Sequence, residues 1–436
     1  MTDKPLNKNA ANRRTVLKTL GLALGGSVAS GFAHAAPSAA PLEHHVTDAP
    51  VSANGFHQSQ PFYGRYQSGI INARPAHGMI AAFDVLVKSP DDLERLFKTL
   101  TQRIVFLMQG GTPPDLDPKL PPADSGILGP EIRPDNLTIT IGLGSSLFTE
   151  HDWLKAHKPK LLQRMTKFQN DALVADLCHG DLSLQFCANT PDTIIHALRD
   201  ILKTMSDQLY LRWKQEGNVP VIPPSPTGEV ESARNFLGFC DGSANPDAGD
   251  NQLMDQLVWV GESNAEPDWA VNGSYQAVRI IRNFVERWDR TPLQEQEQII
   301  GRKKASGAPL DGEKESQVPD YTKDQDGAVT PLDAHIRLAN DRSHAAQKNL
   351  MLRRPFNYSN GVTKSGQLDQ GLLFICYQAD LEQGFITVQR RLDGEPLEEY
   401  IKPVGGGYYY ILPGAVDTQD YLGRSLVEAV RKTQKL

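Results

Sequence analysis

Apolar and polar residues follow two different periods in the first half of the chain, and these periods predict alternating strands and helices. Residues 182–186 read Leu-Ser-Leu-Gln-Phe, and such a period of two is typical of a strand with one buried face. Pro191 and Asp192 suit the first turn of a helix. The predicted strands lie at about 78–87, 136–142, 182–188 and 208–214, and the predicted helices at about 90–106, 150–174 and 191–205.

The second half repeats this pattern after a proline-rich crossing at residues 219–226, which we take as a domain boundary. Alternating strands and helices with few tight hairpins indicate layered domains of the α/β or the α+β class. Periodicity alone does not choose between these two classes. The predicted strands lie at about 255–260, 274–283, 371–379 and 407–412, and the predicted helices at about 291–302 and 380–391.

The N-terminus has the features of an export signal. Arg13 and Arg14 precede a weakly apolar run rich in Gly and Ala, and Ala33-His34-Ala35 resembles a small-x-small cleavage site. We therefore expect residues 1–35 to be a twin-arginine signal peptide and the mature protein to be periplasmic. The alternative is a disordered basic leader. Residues 36–59 are rich in Ala, Pro, His and Ser, which predicts a flexible linker.

Composition limits the size of the fold and the kinds of partner. The chain has 436 residues, 39% of them hydrophobic, which is enough for two domains, at 60–222 and 223–436. No internal segment approaches the ~20 apolar residues of a membrane span. Cleavage after Ala35 would remove five of 45 basic and one of 52 acidic residues, leaving 40 and 51 and a net charge of −11. Such an acidic protein is not expected to bind nucleic acid or anionic membranes.

The cysteines show no metal-binding spacing. None belongs to a CxxC pair or to a zinc-ligand pattern. Oxidation in the periplasm would allow three pairings, whereas folding in the reducing cytosol before export favours buried free thiols, which we prefer. The four positions are Cys178, Cys187, Cys240 and Cys376.

One segment of the second half places a carboxylate where it could transfer protons. Asp241 lies between the apolar residues Leu237 and Phe239 and a Gly-Ser-Ala-Asn-Pro turn at 242–246. A carboxylate that loses water on one side can have a shifted pKa, which suits acid–base work. Asp-Gly is also a common turn pair, so the motif on its own more often marks a structural turn.

Two later segments, 333–342 and 350–356, supply His335 and Arg353. With Gly238-Phe239-Cys240-Asp241-Gly242, they resemble the dye-decolourising peroxidases. The first motif is similar to the GxxDG motif of that family, His335 falls where the family has its proximal haem ligand, and Arg353 falls where it has its distal arginine. The resemblance runs from about Gln60 to Leu422 and is strongest to the exported deferrochelatase/peroxidase branch.

The resemblance implies an α+β fold of two ferredoxin-like halves, each an antiparallel sheet packed with helices. It also implies one haem b per chain, in the C-terminal half. His335 would bind the iron. Asp241 would move a proton between the two oxygens of peroxide, and Arg353 would stabilise the charge that develops as the O–O bond breaks. Cys240 could also bind iron as a thiolate, but it belongs to the motif that carries the acid, so we prefer His335.

The resemblance further implies haem contacts from the neighbours of these residues. The backbone after the acid could touch the porphyrin, and the residues after His335 could border its edge. An arginine there could pair with a propionate, since a guanidinium matches carboxylate geometry; an exposed arginine with no such role is the alternative. The residues concerned are Gly242, Ser243, Ala244, Asn340, Asp341 and Arg342, with Arg302 as a second candidate for a propionate.

The function expected from these residues is that of an exported haem-b peroxidase that uses hydrogen peroxide to oxidise organic donors. The resemblance also implies deferrochelatase activity, with haem or a porphyrin as substrate, components of an iron-uptake system as partners, and a homodimeric state. The alternative is a non-catalytic periplasmic haem-binding or iron-delivery protein. Such a carrier would need His335 but would have no use for Asp241 and Arg353.

Overall fold

The computed structural model describes residues 55–222 and 232–434. Its strands are β1 (His77–Val85), β2 (Thr138–Gly144), β3 (Leu182–Ala188), β4 (Leu209–Asn218), β5 (Ser274–Asn283), β6 (Leu352–Arg353), β7 (Phe356–Val362), β8 (Leu368–Gln378) and β9 (Ile401–Ile411). Its α-helices are α1 (Pro90–Gln109), α2 (Ser145–Thr149), α3 (Pro191–Thr204), α4 (Asn251–Leu257), α5 (Val285–Trp288), α6 (Leu293–Ile300), α7 (His335–Ala339), α8 (Thr387–Arg391) and α9 (Arg424–Gln434). A π-helical turn, Glu382–Ile386, leads into α8. The expected export signal and most of the expected linker lie outside the described residues.

Each half of the chain forms a four-stranded antiparallel sheet with the same topology. In the first half the spatial order is β4-β1-β3-β2, with α1 between β1 and β2 and α3 between β3 and β4. In the second half the order is β9-β5-β8-β7, with α6 between β5 and β7 and α8 between β8 and β9. This repeated topology is ferredoxin-like, as expected, and it decides for the α+β class.

The two sheets also join at both edges. Strand β2 pairs with β9 through three residue pairs, Gly142–Ile411 to Gly144–Tyr409. Strand β4 meets β7 at a single pair, Asn218 with Asn357. The hydrogen-bonded ladder therefore continues from one sheet to the other at both sides, which shortens the edges that an open sheet would present.

Helix α1 shows how local sequence sets the outer layer. Ser89 caps it by accepting a hydrogen bond from the backbone of Asp92, Pro90 occupies its first turn, and Gly110 ends it with a φ of 75°. Its apolar face packs on the sheet of the first half. The last helix, α9, comes from the other end of the chain and lies beside α1, where Arg431 pairs with Glu94 at 2.6 Å. One apolar core thus includes residues from both halves.

Most strand predictions agree with the structure. The predicted strands at 182–188 and 274–283 match β3 and β5 residue for residue, and the predicted helix at 191–205 matches α3 to within one residue. Strand β9 begins at Ile401, earlier than the predicted 407, because its glycines carry no apolar signal. The pattern missed two strands, β6 and β7, and five helices, α2, α4, α5, α7 and α9.

Two element predictions are wrong. Residues 150–174 form turns and a short 3₁₀ helix, Lys155–His157, rather than a long helix. Pro159 interrupts the helical pattern, and the buried Leu162, Met165 and Phe168 reach the core from an irregular segment. Residues 255–260 are not a strand, because Asp250 caps helix α4 by accepting from Leu253 N at 3.0 Å.

Within the described ranges, no helix combines the length and the apolar character needed to cross a membrane. The four cysteines all lie in these ranges, and no disulfide joins any two of them. Cys178, Cys187 and Cys376 are buried, whereas Cys240 is half-buried.

Candidate active site

A cavity with a volume of about 280 Å³ lies in the second half of the chain. Every lining residue except Asn170 lies beyond residue 234. Its walls are mainly apolar, and Phe239, Met351, Phe374 and Phe385 are among the large side chains that form them. The polar groups that converge on it include His335, Asp241 and Arg353, so the structure brings the three predicted reactive residues to one cavity.

A tight turn sets the direction of Asp241. Asn235 Oδ1 accepts hydrogen bonds from the backbone of Leu237 at 3.1 Å and of Phe239 at 3.2 Å. Gly238 has a φ of 86°, a conformation that favours glycine. The indole N–H of Trp288 donates to Leu237 O at 2.8 Å and holds the turn in place. The apolar approach is buried, as its sequence indicates, and Asp241 emerges from it with 14% of its side chain exposed.

Arg353 reaches the same place from strand β6. Its Nη1 donates to Asp241 Oδ1 at 3.1 Å, and 28% of its side chain is exposed. The next residue, Arg354, points the other way and is buried, where it donates to backbone carbonyls of residues 70–73. Since side chains alternate along a strand, only one of the two neighbouring arginines can face the cavity.

His335 begins helix α7 and is held by a carboxylate. Its Nδ1 lies 2.7 Å from Glu395 Oε2, and the Glu395 side chain is only 3% exposed. Burial lowers the pKa of His335, but the charge and the hydrogen bond of Glu395 outweigh it, so the pKa lies above its usual value. A carboxylate accepts, so Nδ1 carries the proton and Nε2 is the ring atom left to bind a metal.

The rim of the cavity includes two arginines. Arg302 is buried and donates from Nη1 to the carbonyls of Gly307 at 2.7 Å and Glu315 at 3.0 Å. Arg342 has a φ of 61°, a strained conformation for this residue, and its buried Nε has no hydrogen-bond partner among the described residues. An orphaned guanidinium nitrogen at a cavity wall is costly unless an anion binds there.

The remaining predicted residues divide into two groups. Five of them line the cavity: Gly242, Ser243, Ala244, Asn340 and Arg342. Asp341 does not line it: its side chain is exposed and its Oδ1 accepts from the backbone of Ser343 at 2.9 Å, which makes it a local turn residue. The expected haem contact of Asp341 therefore has no support in the geometry.

A second carboxylate supports the turn after Asp241. Glu315 accepts from Ser243 Oγ at 2.8 Å and from the backbone of Ser232 at 3.2 Å. Burial raises the pKa of Glu315, but these hydrogen bonds outweigh it and hold the pKa below its usual value. Glu315 thus fixes Ser243 at the cavity wall.

These features fit a haem group. His335 would hold the iron through Nε2, on an imidazole that Glu395 orients. Apolar walls suit the porphyrin face, and Arg342, with Arg302 nearby, offers cationic donors for propionates. Asp241 and Arg353 then remain as a polar pair that binds no iron.

Three residues of the site gave no usable signal in the sequence. Glu395 lies 60 residues from His335, Glu315 lies 72 from Ser243, and Asn245 lies 108 from Arg353, whose backbone it contacts. A carboxylate partner for an iron-bound histidine could have been sought, because such partners are common. The sequence offers many acids in this half and no means of choosing among them.

Both halves of the chain match models of a known protein family. The family description "Dyp-type peroxidase, N-terminal" matches residues 67–218, and "Dyp-type peroxidase, C-terminal" matches residues 232–416. Together the two matches cover more than half of the chain and leave a gap at the proline-rich crossing.

Individual relatives extend the similarity to nearly the full length. A protein named deferrochelatase from Escherichia coli (strain K12) is 53% identical over 421 residues, covering 96% of this chain and 97% of its own. Among solved structures, a DyP-type peroxidase from Cellulomonas bogoriensis has a TM-score of 0.75 at 32% identity, covering 86% of this chain and 100% of its own. Ferric DtpA from Streptomyces lividans has a TM-score of 0.76 at 32% identity, covering 87% and 100%.

Proposed function

Since the chain belongs to the Dyp-type peroxidase family, we propose that it is a haem-b peroxidase that oxidises organic donors with hydrogen peroxide and also releases iron from haem. The observation that carries this proposal is the Asp241–Arg353 pair at 3.1 Å, in the same cavity as the His335–Glu395 pair. The cavity therefore offers an iron ligand and, separately, a proton carrier next to a fixed cation.

The residues of the chain divide the work as follows. Bound haem supplies the redox chemistry, passing the oxidising equivalents of hydrogen peroxide to organic donors. Asp241 accepts the proton of the nearer peroxide oxygen and returns it to the farther one, which leaves as water. Arg353 stabilises the negative charge on the leaving oxygen, and because arginine stays protonated it does not compete for that proton. His335 would hold the iron through Nε2, and Glu395 would orient the imidazole and raise its electron donation by accepting the hydrogen bond from Nδ1.

A non-catalytic haem carrier is the weaker reading of the same cavity. Such a protein needs His335, the apolar walls and the arginines at the rim. It gains nothing from placing a carboxylate that is 14% exposed against a guanidinium within the cavity, since partial burial of charged groups costs free energy.

Release of iron from haem is proposed from the relatives named deferrochelatase. Iron leaves a porphyrin intact only if two protons replace it on the ring nitrogens. A site that already moves protons through Asp241 is suited to that exchange. Metal-free porphyrin fluoresces, so incubation of haem with the protein tests the proposal. Unchanged fluorescence would leave the peroxidase activity as the sole function of the site.

The purified holoprotein provides the most direct test of the function as a whole. We expect one haem per chain, a histidine-ligated ferric spectrum, and a rapid change of the Soret band on addition of hydrogen peroxide. A stable haem complex whose Soret band does not change with hydrogen peroxide would favour the non-catalytic haem carrier instead.

We also propose a cellular location for the protein and a division of its chain into segments. Residues 1–35 would direct twin-arginine export to the periplasm and be removed, residues 36–59 would link them to the fold, and 60–222 and 223–436 would be the two domains. We further propose a homodimer that acts with components of an iron-uptake system. Light scattering of the mature protein tests the dimer, and a monomer at micromolar concentration would contradict it.

A further inference from the structure

The backbone of Arg353 is held from outside the sheet. Strand β6 pairs with β8, with Arg353 facing Cys376, and the N–H of Arg354 donates to Ile375 O at 2.8 Å. In an antiparallel ladder, the backbone groups of successive residues point alternately toward and away from the partner strand. The N–H and C=O of Arg353 therefore point away from β8, to a side where the described residues place no strand beside β6.

Asn245 occupies that side with its amide group. Its Oδ1 accepts a hydrogen bond from Arg353 N at 2.8 Å, and its Nδ2 donates to Arg353 O at 3.0 Å. One side-chain amide thus makes both bonds that a neighbouring strand would make. Backbone groups without a partner are costly away from water, so this pair of bonds fixes the edge of β6 at Arg353.

Asn245 also closes the turn that begins at Asp241. Its backbone N–H donates to Gly242 O at 2.9 Å, and the N–H of Asp241 donates to Ala233 O at 2.9 Å. Asp241 and Arg353 are 112 residues apart and belong to two short segments, a turn and a two-residue strand. Neither segment is long enough to fix the other by itself.

We propose that Asn245 is a positioning residue, which sets the geometry of the Asp241–Arg353 pair by joining the Arg353 backbone to the Asp241 turn. Asn245 does not line the cavity, so it acts through Arg353 rather than on a bound molecule. This inference rests on the proposed function of the pair in breaking the O–O bond of peroxide.

The chemistry of the amide makes the role testable with an isosteric change. Asn245→Asp keeps the shape and the acceptor for Arg353 N, but an ionised carboxylate has no N–H to donate. It sets a charged oxygen against the carbonyl of Arg353. Arg353 should move away from the turn, and displacement of a catalytic group by about 1 Å costs on the order of 100-fold in rate.

The experiment uses the full holoprotein and two readouts. The first is the second-order rate at which hydrogen peroxide changes the Soret band. The second is the affinity of the ferric protein for fluoride, an anion that a correctly placed guanidinium stabilises and that requires no turnover. We expect Asn245→Asp to lower the rate roughly 10–100-fold and to weaken fluoride binding about tenfold, with haem content unchanged.

A matched control removes an equivalent amide elsewhere. Asn360 exchanges hydrogen bonds with Gln215 at 3.1 and 3.2 Å and does not line the cavity. Asn360→Asp should leave both readouts at the wild-type value. In the background of Arg353→Leu, Asn245→Asp should cost nothing further, because its effect passes through Arg353.

The outcomes separate this inference from the proposed function. Wild-type rate and fluoride affinity in Asn245→Asp, with a large loss in Arg353→Leu, would overturn the positioning role alone. No loss in Arg353→Leu would overturn the function of the pair. If Asn245→Asp does not bind haem, Asn245→Ser decides, because its hydroxyl can make only part of the pairing and should shift both readouts in the same direction.

Discussion

Glu395 orients His335 through a hydrogen bond of 2.7 Å between Nδ1 and Oε2, across 60 residues of chain. The contact leaves Nε2 as the ring atom for the iron that we propose His335 holds, and it would make the imidazole a stronger donor to that iron. The carboxylate is nearly inaccessible, with 3% of its side chain exposed, so water does not compete for the bond.

We expect Glu395→Gln to weaken haem retention or peroxide turnover roughly 10–100-fold, the usual cost of losing the partner of a metal-bound histidine. The change keeps the side-chain length and removes the charge. Haem transfer to an apoprotein acceptor measures retention. Glu399→Gln, at a neighbouring side chain that is 61% exposed, is the control and should behave as wild type.

His335→Ala should give a folded protein that retains little haem. The side chain is the proposed iron ligand, and its removal leaves the apolar walls of the cavity in place. Haem content after gel filtration and the far-ultraviolet circular dichroism spectrum check the two parts of this prediction. His344, an exposed histidine nine residues later, is the matched control. A normal Soret band in His335→Ala would end the assignment.

Arg342→Asn should separate the stability of the apoprotein from its affinity for haem. Asparagine tolerates positive φ, so the change removes the unpartnered Nε without adding backbone strain. The melting temperature of the apoprotein should not fall. Haem affinity should fall roughly 10–100-fold, the worth of a hydrogen bond to a charged group. Unchanged affinity would show that Arg342 makes no contact with a propionate.

The fold was predictable where apolar alternation was regular. Strand β3 carries the clearest alternation, and both β3 and β5 were predicted to the residue. Strand β9 was only partly predicted, because Gly405–Gly407 interrupts the pattern. A Cβ on Gly406 would lie 2.0 Å from Val278 O, so these glycines permit the close approach of neighbouring backbone. Sequence periodicity cannot report such a contact between distant segments.

The site was predictable only in part, for a related reason. The residues that we propose to react occur in recognisable motifs, and Asp241, His335 and Arg353 do meet at one cavity. The residues that orient them are single amides and carboxylates whose partners lie 60 or more residues away. Nothing in the local sequence distinguishes Glu395 or Asn245 from surface residues of the same type. The ring closure of the sheet through Asn218 and Asn357 was invisible for the same reason.

Export provides a prediction that does not depend on the fold. Arg13 and Arg14 are expected to be required for transport, because the twin-arginine pathway reads this pair. Replacing both with lysine keeps the charge, and the protein should then accumulate in the cytoplasm of fractionated cells. Lys4→Arg with Lys8→Arg is the control. Undiminished periplasmic protein in the double lysine variant would refute this route.

The central claim is that Asp241 and Arg353 together break the O–O bond. Losing the proton carrier in Asp241→Asn should slow the reaction by about 10²–10⁴. Losing the fixed cation in Arg353→Leu should slow it by about 10²–10³. Both variants should keep their haem, because neither side chain binds iron.

The most direct test is stopped-flow measurement of the peroxide-dependent Soret change in Asp241→Asn, Arg353→Leu and the double variant. Both side chains act on one transition state through a shared contact of 3.1 Å, so the double variant should lose less than the product of the two single losses. Wild-type rates in both single variants, with haem fully bound, would contradict the account and favour a haem carrier.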